Sequence, residues 1–253
     1  MLNSILATAI VAGALAGVFV FGAHMVKVVP LIKAAEVYEN AEATPRPVSG
    51  PAVSGPAVSG QAHGARYAEA HAKAIPAAAH SHDEEAWAPE NGMERSLYTL
   101  LADLIMGVGF GLMLTAIIAI SNREVDWQKG ILWGLAGFCA VTAFPALGLA
   151  PEMPGMQAAA LAERHIWWGA TVAASSIGLG LMFLTQSWAL RIGGVILLTI
   201  PHIIGAPHVK LEAGLIPVEM GSQYAATTLI ITLFFWVVLG GLAGHFYQRF
   251  ARD

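Results

Sequence analysis

Charge is what this sequence has least of. Asp, Glu, Lys and Arg make up only 12% of the 253 residues, while 56% are hydrophobic; an ordinary soluble domain is about a quarter charged. A surface that poor in charge excludes a water-soluble globule and calls for lipid as part of the solvent. Cysteine is also scarce. The single Cys139 leaves no intramolecular disulfide, no cysteine-based zinc motif and no iron–sulfur cluster. Cysteine usage therefore says nothing about the compartment. No Gly-x-x-x-x-Gly-Lys-Ser/Thr loop is present, so the chain does not couple its work to nucleotide hydrolysis by the usual route. His-Glu-x-x-His and Gly-x-Ser-x-Gly are missing as well, which argues against a membrane metalloprotease or esterase and for a protein that is not an enzyme. With a net charge of −4 and no long basic block, nucleic acid is not an expected partner.

What the sequence does have is apolar runs of the length a bilayer requires, about 20 residues each. Six are present: Ser4–Val26, Leu97–Ile120, Ile131–Leu149, His165–Gln186, Trp188–Ile204 and Gln223–Tyr247. They predict an all-α, polytopic membrane bundle of six transmembrane helices. The count falls to five if the fifth run is re-entrant, since it is short, holds Arg191 near its start and has Pro201 in its last turn. The chain divides into a first transmembrane helix (1–26), an extracytoplasmic Pro/Gly/His-rich loop expected to be partly disordered (27–96), and a membrane bundle of helices two to six (97–250). The first run is read as a retained helix rather than a signal peptide: no Lys or Arg precedes it, and it exceeds the 7–15 residues of a signal core.

Between the first two runs, Pro-Val-Ser-Gly is followed by two copies of Pro-Ala-Val-Ser-Gly from Pro47 to Gly60. Such a repeat makes a tether rather than a core. Beyond it come His63, His71, His80 and His82 and the acidic run Asp83, Glu84, Glu85. Lys and Arg in short loops resist translocation. Arg123, Lys129, Arg191, Arg249 and Arg252 fall on one side and Arg164 and Lys210 on the other, so the N-terminus is expected in the cytoplasm of an inner (plasma) membrane. This orientation gathers most of the nine histidines and many carboxylates on the outer face, and imidazole and carboxylate are donors that suit divalent transition metals.

The candidate metal ligands are His24, Glu36, Glu39, Asp103, His165, His202 and His208, with His63, His71, His80 and His82 as weak capture ligands on the tether. Capture by imidazole needs the deprotonated ring and so fades below a pH of about 6.5; the same stretch could equally be a polar spacer. Pro201-His202-Ile203-Ile204-Gly205-Ala206-Pro207-His208 breaks a span between two histidines, in the manner of ion sites or simply of a helix terminator. Asp103, deep in the second run, must face a partner or water. Glu163-Arg164-His165-Ile166-Trp167-Trp168 reads as an ion pair, a histidine and an aromatic anchor at a boundary. Gly13-x-x-x-Gly17, Gly107-x-x-x-Gly111, Gly130-x-x-x-Gly134 and Gly240-x-x-x-Gly244 read as close-packing helix faces.

Several short stretches together resemble the cobalt transporter subunit CbtA family. They are Val29-Pro30-Leu31-Ile32 with Ala35-Glu36-Val37-Tyr38-Glu39, Glu94-Arg95 with Tyr98-Thr99, Trp133-Gly134-Leu135-Ala136-Gly137-Phe138, Pro145-Ala146-Leu147-Gly148-Leu149 with Pro151-Glu152 and Pro154-Gly155, Arg164 with Trp167-Trp168, and Pro201-His202 with Gly205-Ala206-Pro207. The resemblance covers nearly all of the chain outside the tether. It implies a membrane subunit of a cobalt uptake system feeding cobalamin synthesis, acting beside a small single-span, histidine-bearing companion of the CbtB type. Such proteins are usually described with five spans, and the repetitive tether is unusual among them.

The expectation is therefore an importer of cobalt(II), with nickel(II) the neighbouring alternative, that needs no resident cofactor and works in a lipid bilayer as a homo- or hetero-oligomer. Two other readings remain open at this stage. A structural or assembly subunit of a larger membrane complex would use its small-residue faces and leave the histidines incidental. A haem-binding, cytochrome-like subunit would use His24, His165 and His202 on one side of the membrane, and would show a Soret band.

Overall fold

The computed structural model describes residues 2–43, 89–208 and 216–251. The tether, His63, His71, His80 and His82 lie outside those residues. Among the described residues every regular element is helical. Helix α1 (Leu2–Ala23) continues through a π-helical turn (His24–Val28) into α2 (Val29–Ala43). Then come α3 (Met93–Ile120), α4 (Trp127–Phe138), a second π-helical turn (Cys139–Ala143), α5 (Phe144–Ala146), α6 (Leu161–Leu184), α7 (Trp188–Ile204) and α8 (Val218–Phe250).

Among the described residues five stretches are long and apolar enough to cross a membrane: Leu2–Tyr38, Met93–Ile120, Trp127–Ala146, Leu161–Leu184 and Val218–Phe250. The sixth helix, α7, has 17 residues, about 26 Å at 1.5 Å per residue against a hydrocarbon core of about 30 Å. It is nevertheless laid along α6 for its whole length. Gly178 meets Gly194 in the middle, and Trp167 near the start of α6 meets Pro201 near the end of α7. Helix α7 therefore runs antiparallel to α6, and the described bundle holds five long apolar helices and this shorter sixth. Arg191, near the start of α7, lies against the end of α6. Its Nε and Nη2 donate to the Thr185 carbonyl at 3.2 and 3.0 Å, closing the end of α6, with Arg123 Nη2 on the Leu184 carbonyl at 3.5 Å.

The helices outrun the apolar stretches that announced them. Helix α3 begins at Met93 and α6 at Leu161 because polar residues such as Glu94 and Glu163 make good first turns. The first helix passes Val26 and continues beyond Pro30. Proline has no N–H to donate to the carbonyl four residues back, and the π turn that precedes it, with the Val29 N–H on the His24 carbonyl, carries the chain through.

Glycine decides which helices touch. Gly13 lies against Gly107, Gly17 against the Asp103 backbone, and Gly111 against Ala9, so α1 and α3 pack antiparallel with their backbones in contact. Gly130, Gly134, Gly240 and Gly244 bring α4 and α8 together in the same way. The hydrophobic effect between helices is weak in lipid, and close backbone approach replaces it. Trp236 fills the centre, its ring centroid 5.0 Å from that of Phe110, with Leu114, Ile118, Phe235 and Leu239 around it. A second, smaller cluster of Ala35, Met153 and Ile216 joins α2 to the α5–α6 connection and the start of α8.

A methyl group at a contact glycine has no room. Gly107→Ala or Gly240→Ala should destabilise the detergent-solubilised protein by about 1–3 kcal/mol, as for other overpacked sites. Gly180→Ala, with nothing within 4 Å of the added carbon, should be neutral or gain up to about 1 kcal/mol. Thermal unfolding midpoints of the three variants compare them directly.

Candidate functional site

On α3 the buried positions Asp103, Gly107, Gly111 and Leu114 form one stripe, and the stripe faces α1. Asp103 shares the glycine face, which is why a carboxylate at membrane depth is only 4% exposed. Among the described residues it meets one hydrogen-bond partner. His24 Nδ1 lies 3.1 Å from Asp103 Oδ2. Gly17, opposite Asp103, is two helical turns before His24, yet the two side chains meet because side chains lean toward the N-terminus of their own helix. In an antiparallel pair those directions converge.

A carboxylate only accepts, so the imidazole donates through Nδ1, and the neutral ring keeps its lone pair on Nε2. A carboxylate that fixes the tautomer and orientation of a histidine from behind is the arrangement that metal-binding histidines use. Asp103 thus holds the His24 ring from the buried side, and the His24 side chain is 21% exposed.

The other candidates fall into separate groups. Glu36 is tied to Arg95, Oε1 to Nη2 at 2.7 Å. Arg164 pairs with Glu152 at 2.6 Å rather than with its neighbour Glu163, since adjacent residues on a helix point to different faces. That pair and the exposed His165 line a 450 Å³ cleft between α5 and α6, walled by Val141, Thr142 and Pro145. His202 lies edge-on to Trp167, ring centroids 5.9 Å apart, and its buried Nε2 has no hydrogen-bond partner among the described residues. Trp167 Nε1 donates to the Pro201 carbonyl at 3.2 Å. Gly205, at a φ of 88° that glycine alone adopts readily, ends α7 just before the exposed His208. The Glu39 side chain and the tether histidines are outside the described residues.

His24, Glu36, Asp103, His165 and His202 therefore share one end of the bundle, but they do not converge on one point. Among the described residues no three His, Cys, Asp or Glu side chains stand close enough to hold one ion. Sequence reasoning had placed His24 and Asp103 near one site, with His202 and Glu36, without pairing them. It did not assign the arginines that occupy Glu36 and Glu152, whose pairing depends on how the connections fold back.

The family model described as "Probable cobalt transporter subunit (CbtA)" matches residues 2–248. The chain belongs to the CbtA family. No curated protein and no solved structure matches it. The family is one of transporters rather than enzymes, and its several long apolar helices make this CbtA-family chain a multi-pass membrane protein.

The Trp167–Pro201 bond holds the broken end of α7 to α6. Trp167→Phe keeps the ring and removes the donor, and should destabilise the protein by about 1 kcal/mol, read as a lowered unfolding midpoint with helical content by circular dichroism unchanged.

Proposed function

We propose that this CbtA-family chain is the membrane subunit through which cobalt(II) enters the cell for cobalamin synthesis, with His24 as the first helical ligand. The observation that carries the reading is the His24 Nδ1–Asp103 Oδ2 bond, which fixes the ring and directs Nε2 away from Asp103. The expected outer face is the His24 end. Arg123, Lys129, Arg191 and Arg249 stand at the opposite end, as cytoplasmic cations do. The protein then sits in the inner membrane with its N-terminus inside. Further donors come from His202, His165 and Glu36, from the tether histidines His63, His71, His80 and His82 together with Glu39 and His208, and from a single-span, histidine-bearing companion of the CbtB type.

A doubly charged ion needs no ATPase on this chain. Moving one charge down 100 mV is worth about 2.3 kcal/mol, so a divalent ion gains about 4.6 kcal/mol, enough for over a thousandfold accumulation. Nitrogen and oxygen donors accept nickel at least as well as cobalt, so selection between them rests on supply and geometry rather than affinity.

The test is metal uptake, by mass spectrometry, in cells expressing the chain with its companion. The wild type should accumulate cobalt above a vector control. His24→Gln can still donate a hydrogen bond to Asp103 but has no imidazole; uptake should fall at least tenfold with membrane levels unchanged. Asp103→Asn should weaken cobalt uptake about 10–100-fold, as loss of a ligand's orienting partner does. Wild-type uptake no higher than the control would end the proposal.

A further inference from the structure

The two glycine-faced helix pairs correspond position by position. Gly13 on Gly107, Gly17 on Asp103 and Ala9 on Gly111 in the first pair match Gly130 on Gly240, Gly134 on Trp236 and Asp126 on Gly244 in the second. Each first member then enters a five-residue π turn, His24–Val28 in one and Cys139–Ala143 in the other. Both turns begin six residues before a proline, Pro30 and Pro145. In both, the first N–H after the turn bonds the carbonyl five residues back: Val29 to His24, Phe144 to Cys139.

The arms beyond the turns also correspond. Each carries one glutamate on an arginine at the start of the next long helix: Glu36 on Arg95 of α3, Glu152 on Arg164 of α6. The arms are joined to each other, since Ala35 of α2 and Met153 of the α5–α6 connection are buried together with Ile216. One role is divided differently. Helix α3 supplies both the glycine face and the arginine for the first arm, whereas α8 and α6 share these for the second.

We propose that the chain contains a duplicated unit, and that its two arms form one cap at the His24 end, hinged at the two π turns and latched by the two Glu–Arg pairs. Below the turns the backbones touch and cannot slide. At the turns, proline withholds a hydrogen bond from the carbonyl four residues back, leaving the helix its weakest point. The latches are ion pairs about 30% exposed, each worth about 1 kcal/mol or less, so they open readily. Opening swings Pro145, Val141 and Thr142, which wall the cleft holding Arg164 and His165, and releases Glu36 and Glu152 from their arginines. Motion of this hinge type needs only a few residues to change conformation.

This inference does not depend on which ion is carried, and its test reads motion rather than transport. Hydrogen–deuterium exchange on the full chain in lipid nanodiscs should show residues 24–30 and 139–145 exchanging at least tenfold faster than the clamped residues 9–17 and 130–134. Glu36→Gln with Glu152→Gln, both changes at partly exposed positions, should speed exchange at both turns at least threefold and leave the clamped segments unchanged. Pro30→Ala restores the missing donor and should slow exchange at 24–28. Equal protection on either side of the turns, or arms indifferent to loss of both latches, would overturn the cap.

Discussion

Backbone contact between glycine faces is the constraint from which the rest of the structure follows. In lipid, two leucine-lined helices gain little by meeting, because the acyl chains they displace are as apolar as they are. Helices α1 and α3, and α4 and α8, instead approach until a methyl group would strike the neighbouring carbonyl. That contact fixes register as well as distance. Once Gly13 faces Gly107 and Gly17 faces Asp103, where His24 falls is no longer free.

The burial of Asp103 is a consequence of that register. A lone carboxylate in the hydrocarbon region would cost several kcal/mol, and its stripe on α3 offers it no water. The histidine delivered from α1 supplies the partner. Packing thereby sets up the chemistry: the same antiparallel lean that lets His24 satisfy Asp103 also turns the far nitrogen of the ring away from the contact. Packing and proposed ligand function reside in the same two helices, so a substitution that separates them must keep a donor on Asp103.

Much of this was legible in the sequence and some was not, for definable reasons. The six apolar runs located the helices of the bundle because membrane helices must satisfy their backbone internally, leaving hydropathy as a direct record of burial in lipid. All four Gly-x-x-x-Gly faces are contacts, but Gly178 on Gly194 was invisible because each helix contributes one glycine rather than a repeat. Asp103 stood out as a deep carboxylate, yet its partner could not be named from spacing alone, since His24 lies two turns beyond the opposing glycine. The arginine partners of Glu36 and Glu152 were hidden for another reason. Those pairs close over connecting segments, and no periodic signal records where a connection folds back. The first apolar run stops at Val26, whereas a π turn carries the helix on past Pro30.

On the proposed reading, the donors at the His24 end serve passage rather than storage. A structural metal site closes four ligands around its ion and holds it; a path must bind well enough to strip some water and weakly enough to let go. Among the described residues the imidazole of His24 is oriented by Asp103 alone, while Glu36 and Glu152 are held by arginines. On the proposed reading, an arriving cation competes with those guanidinium groups for the carboxylates. Releasing them would both complete a donor set and unlatch the cap, so that binding and opening become one event. The electrostatic cost of parting each Glu–Arg pair is small because both are partly hydrated. A fully buried pair in the same place would have locked the cap shut against any ion that this chain could bind.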